Sequence, residues 1–214
     1  MLDGDDPAAD HPGAPMSSDE SPALRAVRRL ERAAGLDAAV DRVRPAVQSA
    51  LRAAPGVARL LHGKPLGHAA HPIATDAPIG FWVSATVLDV AGGEGSARAA
   101  DRLLGLGVLS AVPATVTGLA DWAVSDRRTL RVGTVHAALN NVALGLYGAS
   151  WLLRRRGRRG LGVAVALGAG GVLGASGYLG GHMASRLGAP PRSASGPAEP
   201  ATDRPLGGLR AAGA

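Results

Sequence analysis

The sequence predicts an all-α protein: an integral membrane four-helix bundle with an N-terminal amphipathic helical region and disordered tails. Three observations lead there. Four long apolar stretches, near 71–93, 100–124, 132–153 and 160–183, are each long enough to cross a hydrocarbon layer, which takes about 20 helical residues. Each is bounded by charge: Arg98, Asp101 and Arg102, then Asp126, Arg127, Arg128 and Arg131, then RRRGRR at 154–159. Apolar residues make up 46% of the chain, yet aromatic residues only 3%. Ala, Gly, Leu and Val dominate instead, which suits helices packed in lipid through small side chains. A soluble four-helix bundle would need polar outer faces, and 161–178 carries no charge on any face.

The elements follow in order. Residues 1–20 carry Asp3, Asp5, Asp6, Asp10, Asp19 and Glu20, no Lys or Arg, and several prolines, so they read as a disordered acidic tail. They lack the positive start and apolar run of a signal peptide. Ser21-Pro22 is a helix start, with a capping hydroxyl before a first-turn proline. Residues 21–62 then read as amphipathic basic helices. Leu24, Val27 and Leu30 share one face, and Val40, Val43, Val47 and Leu51 another, with a kink or restart expected at Pro45. Such a region suits an anionic lipid surface, here through 22–61, or packs as a hairpin on the protein's own bundle. The transmembrane domain is 63–187. Its loops are short, so neighbouring helices run antiparallel. Pro113 should kink the second span, and Gly170-xxx-Gly174 and Gly177-xxx-Gly181 should let the fourth approach a neighbour closely. Residues 188–214, rich in proline and without periodicity, read as a second disordered tail.

Composition also excludes. With no cysteine in the chain, disulfides, thiolate zinc sites and all-Cys iron–sulfur clusters are ruled out. The net charge is +6 and nearly all of the basic residues are arginines. They flank apolar segments and no aromatic residues interleave with them, so the partner they suit is a membrane surface and not nucleic acid.

Span parity sets the candidate site. Four antiparallel crossings bring the start of span 1, the end of span 2, the start of span 3 and the end of span 4 to one side. That side holds His68, His71, Asp76, Asp121, His136 and His182. Ionisable groups at the edge of lipid-soluble segments are costly and mark functional sites. Three chemistries fit. Haem b could be held by imidazoles on facing helices, drawn from His71, His136 and His182. A divalent metal could take His68, His71, Asp76 and Asp121, the two histidines lying three apart on one helical face. A proton relay could use the same groups without a metal. Against these stands a structural role, with the histidines hydrogen-bonded to carbonyls or to Asp76 and Asp121 as helix ties.

No nucleotide-binding glycine loop, nucleophile elbow or zinc-protease motif is present. The stretch LHGKPLGHAAHPIATDAPIGFWVSATVLD at 61–89, with TGLADW at 117–122, VHAALN at 135–140 and YLGGH at 178–182, resembles the uncharacterised bacterial membrane family known as domain of unknown function 2231. The resemblance spans roughly 58–187 and implies a multi-span membrane protein. Some members continue into a Rieske iron–sulfur domain, whose cluster this cysteine-free chain cannot carry. The family pattern reads closer to GHPxHP, and Ala69 stands here where the proline would be. By that analogy the expected function is a redox, haem-binding or metal-binding membrane component with a redox protein partner. The alternative is a structural membrane module that binds a protein partner without cofactor. The expected location is the cell membrane, multi-pass. Both termini are placed on the cytoplasmic side, since a long N-terminal region without a signal peptide is hard to export.

Overall fold

The structure, a computed structural model, describes residues 21–191 apart from Glu94. The tail expected over 1–20, and all of the tail expected over 188–214 beyond residue 191, therefore lie outside the described residues. Seven α-helices and no strand occur among the described residues: α1 Pro22–Glu31, α2 Asp37–Ala53, α3 Pro55–Leu61, α4 Ala70–Ala91, α5 Ser96–Ala123, α6 Arg127–Arg155 and α7 Arg159–Arg186.

Capping chemistry sets several boundaries. The Ser21 hydroxyl accepts from the Leu24 amide at 3.2 Å, with Pro22 in the first turn. Asp126 accepts from the amides of Arg128 and Thr129 at the start of α6. Its carboxyl sits below the usual carboxylate range. Burial opposes this, and the Thr129 hydroxyl and those amides outweigh it. Pro45 does not restart α2, which runs unbroken from Asp37 to Ala53, and α5 likewise continues through Pro113.

α4 and α5 pack extensively as one helical hairpin, and α6 and α7 as another. The hairpins meet chiefly along α5 and α6, and α4 touches α7 much less. Trp82 and Tyr147 stack at the centre, with ring centroids 4.1 Å apart and planes at 12°. Leu104, Ala111, Ala166 and Ala169 close around them. A methyl group on Gly107 would collide with the Trp82 ring, so glycine is required for that ring to reach the centre.

The end opposite the histidines is locked by charge. Arg154, whose side chain is 0% exposed, reaches Asp89 at 2.6 Å and Asp101 at 3.1 Å. Arg159 reaches the same two carboxylates at 2.6 and 2.5 Å. The four residues come from α4, α5, α6 and α7, so one neutral network ties all four helices. From sequence, Arg154 is one of the charges that bound the third apolar stretch. Burial comes from Gly162, where a Cβ would lie 2.7 Å from the Arg154 side chain.

Two expectations about the helices change. α5 and α7 are long and apolar enough to cross a membrane by length and composition; among the described residues only these two meet that standard, where four spans were expected. The reason is that α4 and α6 carry polar residues along their length: His71, Asp76 and Asp89 on α4, and His136, Asn140, Asn141 and Arg154 on α6. The glycine spacing of α7 is also used differently. Gly174, Gly177 and Gly181 face open space, while Gly162, Gly170 and Gly180 face Arg154, Tyr147 and His136 on α6.

Candidate functional site

The helices α1–α3 lie across the histidine-bearing end of the bundle. α1 packs on α6, α2 on α5 and α6, and α3 on α5 and α4. This cap is held by polar contacts. Arg44 donates to the carbonyls of Ala123 and Ser125, and Gln48 to Ala123, satisfying carbonyls at the end of α5. Arg131 makes two bonds to Asp37, at 2.7 and 2.8 Å, and Arg127 bonds Asp41 at 2.7 Å. The Arg131 guanidinium holds the Asp37 carboxyl below its ordinary range. Of the two surfaces proposed for 21–62, the bundle therefore takes one face of these helices.

Each histidine of the cluster has its own partner. His62, which ends α3, donates from Nδ1 to Asp121 Oδ1 at 2.9 Å, in a buried contact. Asp121 Oδ2 is buried with no hydrogen-bond partner. His182 donates from Nε2 to Glu31 on α1 at 2.8 Å, also buried. His71 bonds the Ala114 carbonyl through Nδ1 at 2.9 Å. His136 bonds the Ser176 carbonyl through Nδ1 at 2.8 Å, and Asn140 donates to its Nε2 at 3.0 Å. A carbonyl can only accept, so both rings carry the proton on Nδ1. Each ring lies on a glycine: a Cβ at Gly118 would come within 2.7 Å of His71, and one at Gly180 within 3.1 Å of His136.

The residues named from sequence are thus brought together only in part. His71 on α4, Asp121 on α5 and His136 on α6 share the capped end of the bundle, each with its own hydrogen-bond partner. His182 is engaged by the cap. His68 is exposed in the turn before α4, so it shares no helical face with His71. Asp76 is exposed on the outside of α4. Among the described residues no three His, Asp or Glu side chains gather as a metal site. Open concavities lie where Val124, Ser125 and Thr129 meet Leu187 and Pro191, and beside Ala184 and Pro190.

Glu31 and His62 were missed as partners from sequence. Their signal was weak: Glu31 is one acid in a basic helix, and His62 precedes the apolar segment. Distance along the chain hides both, since Glu31 meets a histidine 151 residues away.

The family model described as predicted membrane protein (DUF2231) matches residues 67–190, more than half of the chain. No curated protein matches, and no solved structure matches.

Proposed function

The chain belongs to the DUF2231 family of predicted membrane proteins, and on that footing we propose that it is a four-span, multi-pass membrane module that holds a basic cap against an anionic lipid surface. One observation carries this reading. Residues 21–70 contain three acids, and all three are paired with residues of the bundle: Glu31 with His182, Asp37 with Arg131 and Asp41, itself exposed, with Arg127. Arg29, Arg32, Arg42, Arg52 and Arg59 stay exposed. The outer side of the cap is therefore left basic, and juxtamembrane basic groups are attracted to anionic headgroups by about 1 kcal/mol each. The anionic cytoplasmic leaflet is the natural contact, which supports termini on that side.

The experiment uses the protein in lipid nanodiscs, neutral or anionic, with hydrogen exchange read over 22–61. Exchange should slow in anionic lipid, and the difference should shrink with salt. Replacing Arg29, Arg42, Arg52 and Arg59 with Gln should abolish it. Equal exchange in both lipids would remove the surface reading. A module that docks a protein partner on the same basic face would then be the account.

A second reading, a redox or haem- or metal-binding centre served by a redox protein partner, is favoured by one feature. His71 and His136 are anchored through Nδ1 on backbone carbonyls, the arrangement that orients a ligating imidazole. His182, committed to Glu31, and Asp121, committed to His62, would first have to leave those partners. A visible spectrum and metal analysis of protein from haem-precursor-fed cells test this reading. Colourless, metal-free, folded protein would count against it.

A further inference from the structure

The two helical hairpins correspond residue by residue. A constant shift of 65 residues carries the inner face of α4 onto that of α6. His71 falls on His136, Pro78 on Ala143, Trp82 on Tyr147, Ala85 on Ser150 and Asp89 on Arg154. A shift of 62 carries α5 onto α7. Ala100, Leu104, Gly107, Ala114, Thr117 and Ala120 then fall on Gly162, Ala166, Ala169, Ser176, Leu179 and His182, and all twelve are buried. Both hairpins start at the capped end, so the relation is a parallel repeat about an axis along the bundle. The sequence pattern is His-x4-Asp/Asn-x3-Gly-x-Trp/Tyr, read once from His71 to Trp82 and again from His136 to Tyr147.

Corresponding residues meet at that axis. Trp82 stacks on Tyr147, and Asp89 pairs with Arg154. His71 and Trp82 are about three helical turns apart and so share a face, as do His136 and Tyr147. The same relation gives the two imidazoles equivalent places about that axis, at the capped end. Trp and Tyr, and Asp and Arg, differ between the hairpins, whereas the histidine and the glycine beneath its ring occur in both. His71 lies over Gly118 and bonds the carbonyl four residues earlier; His136 lies over Gly180 and bonds the carbonyl four residues earlier.

We propose that the bundle is a tandem pair of one helical hairpin, and that the histidine held in each copy, His71 with His136, forms a two-imidazole site for a single first-row transition-metal ion on the shared axis. The proposal rests on the second reading above and narrows it to two ligands. Both rings carry the proton on Nδ1, which leaves Nε2 as the donor atom, and neutral imidazole suits Zn, Cu, Fe and Ni. Asn140 holds Nε2 of His136 and must release it when a metal enters.

The test is titration of metal-stripped, full-length protein in detergent with Zn²⁺ by calorimetry and with Co²⁺ by visible absorption. One ion per chain is expected, with binding lost as pH falls through the histidine range. His71→Gln and His136→Gln keep an amide to bond the carbonyl, and each should weaken binding at least about tenfold with helicity retained. Loss of one ligand in a two-ligand site removes most of its affinity. Asn140→Ala should tighten binding, an effect that a purely structural histidine pair would not show. Binding that survives His71→Gln would overturn the pair while leaving a histidine-bound cofactor elsewhere. No binding by folded wild type would overturn both.

Discussion

At the residue scale, neighbouring glycines in these helices have opposite roles. Gly80 has open space where a Cβ would stand, whereas Gly118 has the His71 ring at 2.7 Å. An ordinary Gly→Ala change inside a helix gains about 1 kcal/mol. Gly80→Ala should therefore be neutral or stabilising. Gly118→Ala should destabilise by about 1–3 kcal/mol, because overpacking against a ring outweighs propensity. Thermal unfolding in detergent of both variants checks the contrast, and equal shifts would contradict the packing of His71 on α5.

The cap is the element most sensitive to acid. Asp37 is held below its ordinary range chiefly by the Arg131 hydrogen bond. A carboxylate depressed in the fold contributes stability above its unfolded value of about 3.8, and that contribution is lost as pH falls through the lower folded value. Protection of α1 and α2 from hydrogen exchange should accordingly drop in acid before that of α5 and α7. Asp37→Asn should bring the loss to neutral pH. A cap that frays at the same pH with and without Asp37 would show that the apolar contacts of Val27 and Val40 hold it instead.

The opposite end behaves differently, because its charges are buried. Asp89 is 2% exposed and has two arginine partners. Arg154→Leu leaves Arg159 alone to serve Asp89 and Asp101, and breaking a buried pair costs about 3–5 kcal/mol. Asp89→Asn combined with Arg154→Gln removes both charges of the pair and should cost less than Arg154→Leu alone. Detergent unfolding of the two variants measures the difference, and the reverse order would mean that Arg154 acts through packing on Gly162.

For the whole molecule, the four-span reading puts the loop after α6 on one side of the membrane and the C-terminus on the other. Reporter fusions after Gly157 and at the C-terminus should report opposite sides; matching reports would break the four-span arrangement. The fold class was legible because apolar length and charge boundaries are local properties, as was the Ser21-Pro22 helix start. The family was legible from 61–89 and the three shorter motifs, which lie within continuous stretches of chain. Site membership was legible only to the level of which end of the bundle each residue occupies. Parity along the chain correctly put His71, His136, His182 and Asp121 at one end, but parity carries no information about direction around a helix.

The sequence by itself determined the all-helical class, the positions of the long helices and the gathering of histidines at one end, because each depends on spacing along a single segment. Only the tertiary structure decided that Asp76 faces outward, that Glu31 and His62 claim His182 and Asp121, and that Arg154 is a buried clamp. It also decided that two of nine glycines in α7 carry the closest contacts, at Arg154 and His136. The physical reason is shared. Whether a polar group near an apolar helix is exposed, paired or buried depends on which neighbour meets it, and that neighbour lies up to 151 residues away.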